Sequence, residues 1–246
     1  MPRFFVENTA AEPGEVISIT GGDARHISGS LRMKPGERLT VCGGAGWDCL
    51  CTIQSADSDE VLLRVDERVP SVTEPTVSVT LYQGYPKGDK LETVIEKAVE
   101  LGVYSVVPVL TERSVARPDG KSAERKQERW QRHALEAAKQ CGRGIIPQVG
   151  QLTAFDSLDG LFEKHDTVIY FYELGGRPIS DIIGGEKNAR SVGIFIGPEG
   201  GISASEAEKL ERWGAVPATL GKRIMRTETA PIAALAAIML LTGNLE

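Results

Sequence analysis

The sequence is poor in the residues from which most catalytic and metal centres are built. Three histidines, His26, His133 and His165, are scattered and lack signature neighbours, so no Ser-His-Asp set can be argued from them. Four cysteines, Cys42, Cys49, Cys51 and Cys141, lack the paired C-x-x-C spacing of zinc sites, and no His-Cys-carboxylate cluster suggests a metal. They read as reduced thiols, with Cys49 and Cys51 on one face of a strand as small core residues. No apolar segment follows a basic start and no run is long enough to cross a bilayer, so a cytoplasmic protein is expected. The Gly-x-x-x-x-Gly-Lys-Ser/Thr phosphate loop is missing, as is a Gly-x-Gly-x-x-Gly after an early strand. Positive charge is not in excess either. Lys and Arg total 28 against 34 Asp and Glu, a net charge of −6, which speaks mildly against a nucleic-acid partner.

Distribution counts for more than the sum. Arg25 to Arg38, Arg113 to Arg143 and Lys222 to Arg226 run positive and could track phosphates if gathered on one face. Charge alone fits three solvated faces equally well.

The chain changes character near residue 73. Before it, Glu15–Ile19, Arg38–Cys42, Trp47–Ile53 and Glu60–Val65 read as short strands. Gly21-Gly22, Pro35-Gly36, Gly43-Gly44 and Asp57-Ser58-Asp59 separate them as turns, and one helical piece spans Asp23 to Leu31. Short strands at such spacing predict a small barrel. Val69 to Pro75, polar with two prolines, reads as a linker. Beyond it, strands at Val77–Tyr82, Val106–Leu110 and Thr167–Tyr172 alternate with helices at Asp89–Leu101 and Lys121–Gln140. That alternation predicts an α/β layer with a mostly parallel sheet. Two domains are therefore expected, residues 1–73 and 74–246.

Two glycine-marked loops dominate the last fifty residues. Ile196-Gly197-Pro198-Glu199-Gly200-Gly201 follows an apolar run and leads to Ser203 and Glu206, a capping box. Leu220-Gly221-Lys222-Arg223-Ile224-Met225-Arg226-Thr227-Glu228-Thr229-Ala230 leads through a Thr-Glu-Thr cap into a helix, with Pro231 in its first turn. That helix, Ile232 to Leu241, is apolar nearly all round and is expected to be buried. Strand, sharp turn, helix is where α/β proteins place ligands, because backbone N–H groups point into the crevice beyond the strand ends.

In this order and near the C-terminus, the two loops resemble those of the SPOUT class of RNA methyltransferases, and within it the RsmE family. Tyr172-Glu173-Leu174-Gly175-Gly176 looks like the third donor loop of that class. Lys97–Val103, Glu112-Arg113-Ser114, Arg129-Trp130, Glu136, Ala137, Gln140, Arg143 and Pro147 match its pattern, and His26 to Glu37 resembles its N-terminal PUA-like barrel. The likeness covers nearly the whole chain. Met225 stands where leucine is common, and Lys222 fills a variable slot.

The resemblance implies a C-terminal trefoil knot that binds S-adenosylmethionine, methylation of N3 of one uridine in 16S ribosomal RNA, and a homodimer. It implies a donor site at Tyr172, Glu173, Leu174, Ile196, Gly197, Pro198, Glu199, Gly200, Leu220, Gly221, Ile224, Met225 and Thr229. For RNA it points to Arg3, Arg25, His26, Arg32, Lys34 and Arg143, since Arg and Lys pair with phosphate and an imidazole can stack on a base. Uracil N3 carries a proton at neutral pH, so the site must remove it or stabilise the anion. Arginine keeps its proton, so Arg226 or Arg113 would stabilise charge developing on the base. Glu199 or Glu228 could accept the proton, and the sequence does not choose between them. Two alternatives stay open: the same fold acting on another RNA site or a ribose 2′-hydroxyl, and a non-catalytic RNA-binding assembly factor.

Overall fold

A computed structural model describes residues 1–6, 11–44, 46–184 and 190–245. The chain forms two compact units, Met1–Glu74 with Ala138–Ile146, and Pro75–Ala137 with Pro147–Glu246.

The first unit is a five-stranded sheet in the order β1-β3-β4-β5-β2. Its strands are β1 (Arg3–Phe5), β2 (Val16–Thr20), β3 (Arg38–Cys42), β4 (Trp47–Ala56) and β5 (Glu60–Pro70). β4 and β5 form a hairpin whose turn is held by Asp57, whose carboxylate accepts from the N–H groups of Asp59 and Glu60, both at 2.9 Å. The strand extends through Val69 and Pro70, two residues that the sequence pattern assigns to the linker. The short helix α1 (Gly21–Arg25) continues into one π-turn, His26–Ser30. Ala24 and Ile27 from this pair pack into a core with Leu39, Val41, Ile53 and Leu63. Cys49 and Cys51 are buried there as free thiols, and burial pushes both upward in pKa.

The second unit carries an eight-stranded sheet, ordered β11-β13-β10-β12-β6-β7-β8 with β9 also on β7. In chain order its elements are β6 (Ser78–Gly84), α2 (Lys90–Glu100), β7 (Ser105–Leu110), α3 (Gly120–Cys141), β8 (Gln148–Val149) and β9 (Thr153–Ala154). Next come α4 (Asp159–Phe162), β10 (Thr167–Phe171), β11 (Arg177–Pro178), α5 (Ile179–Ile183), β12 (Ser191–Ile196), α6 (Ala204–Arg212), β13 (Val216–Thr219) and α7 (Ala230–Leu241). Every pairing in this sheet is parallel. The central strands β6 and β12 are buried along nearly their whole length, as strands of a parallel sheet are. The register aligns Gln83 with Ile196 and Ile196 with Phe171, so the loops that follow leave from one edge.

The last helix departs from expectation. It buries Pro231, Ala234, Leu235, Ile238 and Met239, but Leu240 is 57% and Leu241 39% exposed. Thr229 is its N-cap residue without a side-chain cap hydrogen bond, so the expected Thr-Glu-Thr cap is absent. The capping box of α6 is present: Ser203 and Glu206 exchange side-chain and backbone hydrogen bonds. Among the described residues no helix is long and apolar enough to cross a membrane.

Candidate active site

Three loops open from the C-terminal edge of adjacent strands. Tyr172–Gly176 follows β10, Gly197–Ser203 follows β12, and Leu220–Thr229 follows β13. They enclose a cleft of about 750 Å³. Of the residues expected to hold the donor, Tyr172, Glu173, Leu174, Ile196, Gly197, Pro198, Glu199, Gly200, Leu220, Gly221, Ile224 and Met225 all line it, together with Arg226 and Glu228. Thr229 does not; it is exposed at the start of α7. Arg113 also lies outside the lining. Its Nη1 donates to the Gly200 carbonyl at 2.8 Å, and it stands 3.9 Å from Glu173, so it ties the first loop to the third.

The loops are locked from beneath. Thr227 is buried, and its hydroxyl donates to the Gly197 carbonyl at 2.8 Å while accepting from Gln83 Nε2 at 3.0 Å. One hydroxyl thus joins the second loop, the first loop and the end of β6. The approach is close: a Cβ on Gly84 would fall 2.6 Å from Pro198, and one on Gly200 would fall 2.9 Å from the Arg113 Cβ. Gly201 has φ +72°, a conformation most residues avoid, and a side chain there would press on the Glu173 carboxylate. Sequence reasoning does not mark Gln83, Gly84 or Lys90, because the strand order that brings them to the cleft carries no local signal.

The cleft's chemistry suits a ligand with polar edges and an apolar body. Among the described residues, the backbones of Lys222, Arg223, Ile224 and Met225 make no hydrogen bond, which leaves donors and acceptors beside the apolar Ile196, Leu220 and Ile224. Such a wall fits an adenine ring, whose edge pairs with main-chain groups. Lys222, Arg223 and Arg226 are exposed and make no ion pair among the described residues. Their charge is therefore free for an anion. No His, Cys, Asp and Glu grouping fit for a metal occurs among the described residues.

The expected RNA contacts of the first unit divide in two. Arg25, His26, Arg32 and Lys34 are exposed, and the three cations make no ion pair among the described residues. Arg32 has φ +53°, the one positive value among described non-glycine residues, after a turn closed by Leu31 and Met33 N–H bonds to the His26 and Ile27 carbonyls. Arg3 and Arg143 are spoken for, against expectation. Arg3 pairs with Asp48 and donates to Ser71. Arg143 is 4% exposed and forks onto Glu74, with Nε–Oε1 at 3.0 Å and Nη2–Oε2 at 2.7 Å. Glu74 also accepts from the N–H groups of Gly144 and Ile145, so the fork pins the returning segment within its unit rather than offering charge to phosphate.

Comparison with known proteins agrees with this geometry. Residues 73–239 match the RNA methyltransferase domain model, and residues 19–66 match the RNA methyltransferase PUA domain model. The chain is 37% identical over 245 residues to the ribosomal RNA small subunit methyltransferase E of Bacillus subtilis, covering 97% of this chain and 96% of that one. It is 32% identical to the protein of the same name from Mycobacterium tuberculosis, over 98% of this chain and 92% of that one. Among solved structures, the ribosomal RNA small subunit methyltransferase E of Neisseria gonorrhoeae bound to S-adenosyl methionine is similar, with a TM-score of 0.84, 29% identity and 98% of each chain covered. A Legionella pneumophila protein in complex with the cofactor SAM is similar at a TM-score of 0.82 and 28% identity, over 97% of this chain and 96% of that one.

Proposed function

The chain belongs to the ribosomal RNA small subunit methyltransferase E family, and we infer that its cleft transfers a methyl group from S-adenosylmethionine to N3 of a uridine in 16S ribosomal RNA. The observation that carries this reading is the cleft where three loops, an unpaired backbone and three unpaired cations converge. When bound, S-adenosylmethionine supplies an electrophilic methyl group on a sulfonium, so no metal is needed. The protein supplies position. Holding donor and acceptor at attack distance lowers the barrier by about 7–11 kcal/mol.

The main-chain groups of Lys222 to Met225, with Ile196, Leu220 and Ile224 as walls, hold the donor. Arg226 stabilises negative charge developing on the uracil, while Lys222 and Arg223 take phosphate. Arg113 acts by bracing Gly200. Arg25, Arg32 and Lys34 track the RNA backbone, and His26, whose ring lies 6.1 Å from that of Phe4, stacks on a base. The burial of Thr227 between Gly197 and Gln83 fits a threaded trefoil knot. The exposed apolar end of α7, at Leu240 and Leu241, fits a homodimer. The boundary near residue 73 separates an RNA-binding domain from the transferase domain, in a cytoplasmic enzyme.

The test is incubation of the protein with small ribosomal subunits or 16S RNA lacking the modification and methyl-labelled S-adenosylmethionine. Label in one uridine, with a reverse-transcription stop there because N3 lies on the pairing edge, is the expected outcome. Label on a ribose oxygen would favour the ribose-methylating alternative. Donor binding without transfer to any RNA would sink the reading.

A further inference from the structure

The cleft contains a cation that no sequence motif marks. Lys90 begins α2 and meets two carboxylates brought by different loops. Its Nζ donates to Glu199 Oε1 at 2.9 Å and stands 3.5 Å from Glu228 Oε2. The two glutamates are not equivalent. Glu199 also accepts from the Lys87 N–H, at 3.2 and 3.4 Å to its two oxygens. Partial burial pushes the Glu199 carboxyl up, but the Lys90 ammonium and backbone N–H groups outweigh it and hold the group below the usual carboxylate range. A carboxylate stabilised in this way is a weak base. Glu228 differs: its buried Oε2 makes no hydrogen bond among the described residues and has only the Lys90 ammonium near it, at 3.5 Å, while its side chain is 28% exposed and lines the cleft.

We propose that Lys90 is a positioning residue whose ammonium holds Glu228 against the cleft wall, so that Glu228 rather than Glu199 removes the proton from the acceptor nitrogen. The proposal rests on the uridine-N3 reading. The uracil N3–H bond breaks, with its proton passing to a Glu228 oxygen, and the pair left on N3 forms the new bond to the methyl carbon. The methyl–sulfur bond breaks with its pair returning to sulfur, which becomes a neutral thioether. Glu228 then releases its proton to water. Lys90 from α2 is the charged group in contact with Glu228, and it also binds Glu199 from the loop after β12; Glu173, Lys222, Arg223 and Arg226 line the same cleft. Arg226 and Glu228 thus play complementary parts, since Arg226 stabilises the anion and Glu228 takes the proton.

The first test needs no turnover. The full chain is labelled with glutamate carrying carbon-13 at the carboxyl, and the Glu228 resonance is assigned by its loss in Glu228→Gln. Losing its ammonium partner frees the Glu228 side chain, so Lys90→Met displaces the Glu228 carboxyl resonance and Lys90→Arg restores it. An unchanged Glu228 resonance in Lys90→Met overturns the positioning role, whatever the RNA target proves to be. The second test is single-turnover methylation at a range of S-adenosylmethionine concentrations. Lys90→Met slows transfer, with the loss falling on rate rather than on KM for S-adenosylmethionine, and Lys90→Arg restores it. Glu228→Gln slows transfer about 100- to 10,000-fold. A Glu228→Gln enzyme that transfers at the wild-type rate overturns the assignment of the base while leaving the family activity intact. A wild-type protein that transfers nothing to RNA instead defeats the functional reading itself, and the NMR result remains separately readable.

Discussion

The two edges of the parallel sheet in the second unit are built from opposite materials. At the C-terminal edge, glycine and proline turns bring backbone against backbone, and loop main-chain groups are left without partners. At the N-terminal edge, side chains bridge the strands. His165 bridges the Tyr82 hydroxyl and the Ser191 hydroxyl, each at 2.8 Å, and the Asp166 carboxylate accepts from the N–H groups of Arg190 and Ser191 at 2.8 and 2.9 Å. The open edge sacrifices satisfied hydrogen bonds for a ligand. The closed edge satisfies them and fixes the strand register on which the open edge depends. Binding chemistry is therefore concentrated where the fold leaves polar groups unpaired, while a histidine network of catalytic appearance serves structure.

The sharpest way to break this contrast is Gly84→Ala. A methyl there lies 2.6 Å from Pro198, so the donor loop must shift. Overpacking of this kind costs about 1–3 kcal/mol, which calorimetry should read as roughly five- to 150-fold weaker S-adenosylmethionine binding. Wild-type affinity in a folded Gly84→Ala protein would show that the loop tolerates displacement.

Thr227→Val keeps the shape and removes the hydroxyl that joins Gly197 to Gln83. Leaving those buried groups unpaired should cost about 1–3 kcal/mol of stability in denaturant melts and weaken donor binding as well. A loss of stability with donor affinity intact would separate the lock from the site.

The smallest effect belongs to the closed edge. Burial, more than the opposing Asp166 charge, lowers the His165 pKa, so the folded chain holds the ring neutral. The unfolded chain then binds the proton more tightly. Stability is full above about pH 6.5 and is lost as the pH falls from there toward the lower folded value. Calorimetric melts between about pH 7.5 and 5.5 should show this decline in the wild type and a reduced one in His165→Gln, with donor affinity unchanged at the upper end of that range. A matching drop in donor binding would mean that the two edges are coupled.

Much of this is written in the sequence. Turn residues locate the strands of the first unit: Arg38–Cys42 is a strand with the expected bounds, and the long helix, expected over Lys121–Gln140, spans Gly120–Cys141. Glycine and proline locate the cleft loops, because close backbone approach requires those residues. What escapes depends on long-range pairing. Lys90 and Gln83 join the site only because β6 lies beside β12, and hydrophobic periodicity does not report strand order. Arg143 reads as a surface cation beside glycines, but its partner Glu74 lies 69 residues away in a stretch that reads as linker. The open edge of α7 is hidden by its uniform apolarity, which gives no direction to the solvent.

The most direct measurement is isothermal titration of the wild-type protein and Gly84→Ala with S-adenosylmethionine. One donor bound per chain in the wild type and strongly weakened binding in a folded Gly84→Ala protein are the predicted results. No binding by a folded wild-type protein would contradict the assignment of the cleft as a methyl-donor site.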